Sequence, residues 1–342
     1  MSENNIASAG NLALEKVLNG LASSANGIPA TTGNVYYVIP TADSNYKEFF
    51  DKYQKTYQDG TLAVHSTIAS AYSDVTSNRN DIILLSANAA HAQTSMLSIA
   101  KNRVHFVGMN MRGGAFGIGA RTRITLGVTT VATDLAVMQN TGIGNTFRNI
   151  KFDNGNTKDE SLYAVIEAGE YAIYQNCELY MSSQLDDADC AELAMNGDSS
   201  QFIKCTIGSS INIISGAITR PCILLTAETV ATHWCTDSVF SECIFLRKCG
   251  NAANRFVYGA NATDVRRMLW FKGCMFFSNP EGAATPGLAI DMAAAQTEGA
   301  IVVDQNCIAV DVTLMGTTGE GTYILAPTAG TYATAGLSED AD

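Results

Sequence analysis

Apolar residues recur along the chain in short blocks that share one internal order. Each full block begins with an aromatic residue, passes over two residues, and ends on two apolar residues separated by one position. Six blocks begin at Phe106, Phe147, Tyr174, Phe202, Phe240 and Phe271. The first apolar position after each aromatic residue, called here the cysteine position, is occupied by Met109, Ile150, Cys177, Cys205, Cys243 and Cys274, and a weaker seventh copy without the aromatic residue has Cys307.

The spacing of these blocks indicates a repeat architecture. Successive cysteine positions lie 41, 27, 28, 38, 31 and 33 residues apart (150 − 109, 177 − 150, 205 − 177, 243 − 205, 274 − 243 and 307 − 274). Such periods are typical of solenoid proteins. The segments between the blocks hold short runs of β-branched and aromatic residues broken by Gly, Asn, Ser and Asp, a pattern that favours strands over helical repeats. We therefore predict an all-β parallel β-solenoid in which each interval forms one coil.

The residue just before the cysteine position indicates how the side chains are directed. It is Gly or Asn in five of the seven copies, namely Gly108, Asn149, Asn176, Gly273 and Asn306, whereas Lys204 and Glu242 break the pattern. Because Gly and Asn tolerate a positive φ, a tight bend at this point can direct both the aromatic residue and the cysteine inward. The thirteen residues of the blocks are therefore predicted to form an inner core stack.

The cysteine content fits packing better than chemistry. A free cysteine behaves as a small hydrophobic residue and is among the most buried residue types. Four cysteines outside the stack, Cys190, Cys222, Cys235 and Cys249, are left open between free thiols and disulfide pairing. Many thiols without a clear pairing pattern favour assembly in a reducing cytoplasm. The nine cysteines contain no CxxC pair and the four histidines are scattered, so neither a metal site nor a cofactor is predicted.

The first eighty residues differ from the rest of the chain. Aromatic residues from Tyr46 to Tyr57 fall at helical spacing and predict a helix over residues 44–60, followed by a second helix over 66–76. The predicted organisation is an N-terminal arm (1–35), a helical cap (36–80), the solenoid (81–312) and a C-terminal cap or tail (313–342). The arm is read either as a segment that docks on a partner or as a partly ordered tail.

Two motifs after the cap resemble a known fold family. Asp81-Ile-Ile-Leu-Leu85 and Val104-His-Phe-Val-Gly108 resemble the first strands of pectin-lyase-like right-handed parallel β-helix proteins. The run Asp59-Gly-Thr, Thr67-Ile68, Ala71 and Asn78-Arg-Asn-Asp-Ile82 resembles virion-associated β-helix proteins of tailed bacteriophages. The resemblance covers about residues 43–112 by motif. It implies a single-stranded right-handed β-helix of about seven or more coils and a role on a phage particle.

Charge and hydropathy restrict the expected partners. The chain carries 21 Lys and Arg against 33 Asp and Glu, a formal net charge of −12. Sequence-independent binding to nucleic acid or to anionic lipid needs clustered cations, so neither partner is expected. No apolar run approaches the ~20 residues of a membrane-spanning helix.

The sequence gives little support for catalysis. The densest acidic cluster, Asp186, Asp187 and Asp189, lies between two blocks and reads as a loop; these residues are weak candidates for glycan or cation binding. No catalytic residue is assigned, and a non-enzymatic protein is expected.

The sequence therefore predicts a structural protein of a phage virion, most simply a capsid decoration or cement protein. It would assemble in the host cytoplasm with copies of itself, a homotrimer being one expected form, and with virion proteins such as the major capsid protein. The alternative is a tailspike-like β-helix protein that binds or cleaves polysaccharide.

Overall fold

The chain winds into a parallel β-solenoid of about seven coils. The computed structural model describes residues 33–109, 122–127, 135–156, 161–182, 190–214, 219–225, 234–316 and 322–324. Every strand pair in the described ranges is parallel and joins one coil to the next, which confirms the predicted all-β solenoid. No helix among these residues is long and apolar enough to cross a membrane.

Three sheets form the walls of the solenoid, and each of the seven complete coils contributes one strand to each sheet in the order A, B, C. Sheet A contains β1 (Val35–Val38), β2 (Val64–His65), β3 (Ile82–Leu85), β6 (His105–Gly108), β9 (Thr146–Arg148), β12 (Ile173–Gln175), β15 (Gln201–Ile203), β18 (Cys235–Ser241), β21 (Val265–Lys272), β24 (Gly299–Val303) and β26 (Thr322–Ile324). Sheet B contains β4 (His91–Gln93), β7 (Thr122–Leu126), β10 (Ile150–Asn154), β13 (Glu178–Met181), β16 (Thr206–Ile214), β19 (Ile244–Cys249), β22 (Met275–Ser278) and β25 (Ile308–Val310). Sheet C contains β5 (Leu97–Ile99), β8 (Ala136–Asn140), β11 (Tyr163–Glu167), β14 (Ala191–Met195), β17 (Ile223–Leu225), β20 (Val257–Gly259) and β23 (Ile290–Met292).

A single file of aromatic rings runs through the interior along sheet A. Neighbouring rings are stacked with centroids 4.5 to 5.3 Å apart, because the strands that carry them pair in register. The residues of this file are Phe106, Phe147, Tyr174, Phe202, Phe240 and Phe271, each at most 1% exposed. Ile150, Cys177, Cys205, Cys243, Cys274 and Cys307 are buried beside them to the same degree. All nine cysteines are buried and none forms a disulfide, so the four outside the stack are thiols.

Met109 lies outside this stack, contrary to the sequence-based assignment. Its side chain is 44% exposed. The sheet B strand of its coil begins only at Thr122, and Thr122 pairs in register with Ile150 and is fully buried. The core position that the repeat assigns to Met109 therefore belongs to Thr122, because the chain between the two strands is much longer in this coil than in the later ones.

A one-residue bend connects sheet A to sheet B in five successive coils. Asn149, Asn176, Lys204, Glu242 and Gly273 occupy this bend with φ between 53° and 59°. Asn and Gly adopt this left-handed conformation readily, whereas Lys and Glu do so at a cost of about 1 kcal/mol. Lys204 and Glu242 therefore have the same bend as their neighbours although their residue types did not indicate it.

A cap of two short helices covers the first coils. Helix α1 (Tyr46–Tyr53) ends seven residues before the predicted end, because Gln54 is extended and its side chain accepts a hydrogen bond from the Val64 amide at 3.0 Å. Tyr57 therefore lies beyond the helix and its hydroxyl bonds the backbone of Val35. Helix α2 (Ile68–Asp74) is capped by Thr67, whose side chain accepts from the Ser70 amide.

A buried ion cluster lies inside the solenoid where sheets B and C meet. The Glu192 carboxylate accepts hydrogen bonds from both terminal nitrogens of Arg247, at 2.9 and 2.6 Å. A second guanidinium, that of Arg220, lies 4.0 Å from the same carboxylate. All three side chains are at most 1% exposed, so one buried carboxylate lies next to two buried cations.

Candidate functional site

The corner between sheets C and A forms a groove across five coils, called here the corner groove. Equivalent residues of successive coils lie side by side along it: Ile143, Glu170, Asp198 and Thr236 are joined by parallel bridges, and Thr236 is in register with Arg266. The groove has a volume of about 540 Å³. Strands of neighbouring coils are separated by ~4.8 Å, so this row of five positions is roughly 19 Å long.

Three glycines let successive coils approach closely at the corner groove. Gly142, Gly169 and Gly197 occupy the same place in three successive coils. A Cβ atom on Gly169 would clash with the carbonyl oxygen of Gly142, and one on Gly197 would lie 2.7 Å from that of Gly169. The coils approach each other so closely here that a side chain on Gly169 or Gly197 would clash, and the missing Cβ atoms would point toward the buried Glu167 side chain rather than into the groove.

An aromatic ring and two arginines form one end of the corner groove. The half-buried Trp234 ring lies under the Arg266 guanidinium, 4.7 Å from its carbon to the ring centroid. Arg266 also pairs with Glu298 at 3.4 Å, and Arg267 pairs with Asp237 at 2.9 Å. These contacts fix a cation over an aromatic face at the edge of the groove.

Two carboxylates lie at the middle of the row, on consecutive coils. Glu170 is exposed and Asp198 is half-buried, and both line the groove. The Ser199 hydroxyl donates to Asp198 at 3.1 Å. Paired carboxylates that face one groove are the arrangement that glycoside hydrolysis requires, one as acid and one as base or nucleophile.

A third carboxyl group, that of Glu167, lies inside the solenoid directly behind the groove floor. It accepts hydrogen bonds from the Gly169 amide at 2.9 Å, the Tyr174 hydroxyl at 2.5 Å and the Asn140 side chain at 3.0 Å. Burial raises the pKa of Glu167 to about 7, and the hydrogen bonds offset only part of that effect. The group holds the Gly169 peptide, and hence the position of Glu170, from behind.

The groove residues are not those that the sequence singled out. Asp186, Asp187 and Asp189 lie outside the described residues. A usable signal was present: Gly169-Glu170 and Gly197-Asp198 are 28 residues apart (198 − 170), the same interval that separates Cys177 from Cys205. A glycine–acid pair repeating with the coil period therefore predicts stacked carboxylates.

The fold resembles that of enzymes that act on pectin. A pectin methylesterase from Aspergillus niger matches with a TM-score of 0.56 at 13% identity, over 92% of both chains. A pectin methylesterase from carrot matches with a TM-score of 0.53 at 14% identity, over 89% of this chain and 91% of that one. A pectate lyase matches with a TM-score of 0.52 at 12% identity, over 87% and 69%. No protein-family model and no curated protein sequence matches the chain.

These similarities show a pectin-lyase-like right-handed parallel β-helix, as the cap motifs implied. At 12–14% identity they show the fold alone. The comparisons contradict the expectation of a non-enzymatic protein to this extent: the solved structures named above are enzymes. Nothing in the comparisons indicates a phage particle or a structural role.

Proposed function

We propose that the protein binds a polysaccharide in the corner groove and cleaves it there. The observation that carries this proposal is the pair Glu170 and Asp198 on consecutive coils of one groove, with the Trp234 ring at its end. This is the alternative that the sequence left open, now attached to named residues.

The shape of the groove favours a polymer over a small ligand. Equivalent positions repeat once per coil along the solenoid axis, and a pyranose ring is similar in length to that rise. Several sugar units of one chain can therefore meet equivalent backbone positions in turn. Trp234 supplies an aromatic ring of the kind against which sugar rings pack, with one face already against Arg266, and the carboxylates and arginines supply hydrogen-bonding partners.

The two carboxylates give the groove a chemistry as well as a shape. In glycoside hydrolysis one carboxylic acid protonates the departing oxygen, while a second carboxylate activates water or attacks the sugar. Glu170 and Asp198 are the two acidic residues of the groove that occupy adjacent coils. We assign both residues to cleavage of the glycosidic bond. The products distinguish hydrolysis from elimination.

Intrinsic fluorescence provides a direct binding test, because the chain has only two tryptophans. In Trp270→Phe, Trp234 is the sole tryptophan and reports on the groove. We expect its emission to change saturably with a polysaccharide from a panel of bacterial surface glycans and pectins. Trp234→Phe is the matched control, since Trp270 lies on sheet A away from the groove lining and should not respond. A response from Trp270 alone, or from neither residue, would reject the groove as the binding site.

Cleavage is tested on the polysaccharides that bind. Reducing ends without unsaturated products indicate hydrolysis, and unsaturated ends indicate elimination. Glu170→Gln and Asp198→Asn should each lower the rate by about 100-fold or more while binding persists. Glu281→Gln, whose side chain is 79% exposed far along the chain, is the control that should keep full activity. Unchanged rates in both groove variants would remove the catalytic assignment and leave binding intact.

The place of the protein in a particle stays a prediction from the sequence. From the cap motifs alone we propose that this glycan-binding protein is carried on a phage virion, next to proteins such as the major capsid protein, and that it self-associates, with a homotrimer as the first form to test. Particle purification followed by detection of the chain tests the location. Light scattering of the isolated protein tests its mass, and a monomer would reject self-association.

A further inference from the structure

Two basic side chains lie diagonally across neighbouring strands on the outer face of sheet A, with His105 opposite Thr146. His105 belongs to β6 and Arg148 to β9, and these strands pair with Val107 opposite Arg148. Phe106 and Phe147 point into the core, so the residues that flank them in each strand point outward. His105 and Arg148 therefore share one face, on neighbouring coils.

This pair is buried next to apolar side chains. His105 is 3% exposed and Arg148 is 4% exposed. Beside them, the outward residues Val107, Leu84 and Ile82 form a small hydrophobic cluster with side chains of helix α1. Burial lowers the pKa of His105 to about 4, with a further contribution from the Arg148 charge. At neutral pH the imidazole is thus uncharged, and Arg148 carries the positive charge of the pair.

Four of the five side-chain nitrogens of this pair lack acceptors within the described part of the chain. Nε and Nη2 of Arg148 have no hydrogen-bond partner there, and neither ring nitrogen of His105 has one. Nε and Nη2 lie on the side of a guanidinium that can donate bidentate hydrogen bonds to two oxygens. Arg79 of this chain makes such a bidentate contact, with Nε 2.7 Å from one oxygen of Asp81 and Nη2 2.9 Å from the other.

Asp81 is the acidic residue that acts electrostatically on His105, but it does not accept a hydrogen bond from His105 or Arg148. Its oxygens already accept from Arg79 and from the amides of Asn34 and Thr76. A buried cation without an acceptor is strongly unfavourable, and native structures satisfy such groups with a partner, water or an ion. The two-pronged donor geometry selects a ligand with at least two adjacent oxygens.

We propose that His105 and Arg148 form a binding site for a small oxyanion, a carboxylate, sulfate or phosphate. Nε and Nη2 of Arg148 donate to two of its oxygens, and the single N–H of the neutral His105 ring donates a third hydrogen bond. The site is separate from the corner groove and does not depend on the proposed function. Low polarity around it strengthens each of these hydrogen bonds.

Calorimetric titration of the full-length protein tests the site. Sodium acetate, sulfate and phosphate are each titrated at pH 7 against sodium chloride at matched ionic strength, so that non-specific salt effects cancel. We expect saturable one-site binding of at least one of the three oxyanions. If none of them binds saturably, the proposal is overturned; an acidic residue of the chain itself that occupied the site would give this result.

Three variants locate the binding at the two residues. Arg148→Gln should weaken it by about tenfold or more, and Arg148→Lys, which keeps the charge but not the fork, should weaken it several-fold. His105→Gln removes the imidazole and should weaken it by a smaller factor. The control is Arg123→Gln. That arginine is 52% exposed, and it already has an acidic neighbour, Asp153, whose carboxylate lies 3.9 Å away. If both Arg148 variants bind the anion with wild-type affinity, or if the Arg123 control loses as much affinity, the anion binds elsewhere. If Arg148→Gln does not fold, Arg148→Lys and His105→Gln test the site in its place.

Discussion

The Cys205 thiol donates a hydrogen bond to the carbonyl oxygen of Tyr174, with 3.4 Å between sulfur and oxygen. The two residues belong to consecutive coils, and the contact repeats along the stack. Cys177, Cys243, Cys274 and Cys307 each donate to the carbonyl of the aromatic residue one coil earlier, at 3.3 to 3.4 Å. Cysteine suits this position because it is small enough for the bend and supplies a weak donor that satisfies the backbone of the neighbouring coil.

Replacing Cys205 should therefore destabilise the protein through two separable effects. Cys205→Ala removes both the sulfur volume and the donor and should lower the free energy of unfolding by about 1–2 kcal/mol. Cys205→Val refills the volume without the donor and should cost less. Urea denaturation measures both, with the exposed Glu281→Ala as a control that should change stability by less than ~0.5 kcal/mol. Equal stability of Cys205→Ala and the wild type would show that the stack tolerates a gap.

The burial of every cysteine predicts how the thiols react. None of the nine forms a disulfide, and all are buried. A thiol reagent such as Ellman's should label almost none of them in the native protein and all nine after unfolding in urea, because reaction needs an exposed thiolate. Rapid labelling of one or more thiols without denaturant would contradict the placement of that cysteine in the core.

The repeat pattern was enough to predict the architecture because each coil buries the same two positions. The aromatic residue and the cysteine are local signals: their identity and spacing determine one bend and one pair of inward side chains. Stacking of successive coils then extends this arrangement into a solenoid. Where an interval is lengthened, the signal misleads. Met109 matches the block by spacing, but Thr122 fills the core position, since only pairing in register with Ile150 decides which residue is buried.

The groove could be predicted only in part, because its residues come from different coils. Glu170 and Asp198 share the coil interval and a preceding glycine, so a search for polar repeats would have found them. Trp234 and Arg266 carry no such signal. The contact between the Arg266 guanidinium and the Trp234 ring depends on where the sheet A strand of each coil begins, and spacing along the chain does not determine that.

The carboxyl group of Glu167 should make stability depend on pH in a defined direction. Its pKa is about 7 in the folded protein against 4.5 as an ordinary value, so the folded state binds the proton more tightly than the unfolded chain does. The resulting stabilisation is fully present below about pH 4.5 and is lost as the pH rises through about 7, a change of about 3 kcal/mol. Glu167→Gln resembles the protonated acid and should lack this change.

The measurement is the free energy of unfolding of both proteins at several values between pH 4.5 and pH 8. Only the difference between them is read, because other titrating groups such as His105 are the same in both and cancel. Glu242→Gln, whose side chain is 62% exposed, is the control and should follow the wild type. Parallel curves for Glu167→Gln and the wild type would mean that Glu167 is ionised in the folded protein throughout this range.

The buried ion cluster predicts that replacing Glu192 lowers the free energy of unfolding more than replacing Arg247 does. One buried carboxylate faces two guanidinium groups, so Glu192→Gln leaves both cations without it and should cost about 3–5 kcal/mol. Arg247→Met removes one cation and leaves Glu192 next to Arg220, so we expect a smaller loss, ~2 kcal/mol. Urea denaturation of the two variants and of the double variant Glu192→Gln/Arg247→Met measures the difference. The double variant should be more stable than Glu192→Gln alone, because removing Arg247 relieves the repulsion between the two buried cations; a double variant that is less stable would show that Arg247 contributes through packing rather than through charge.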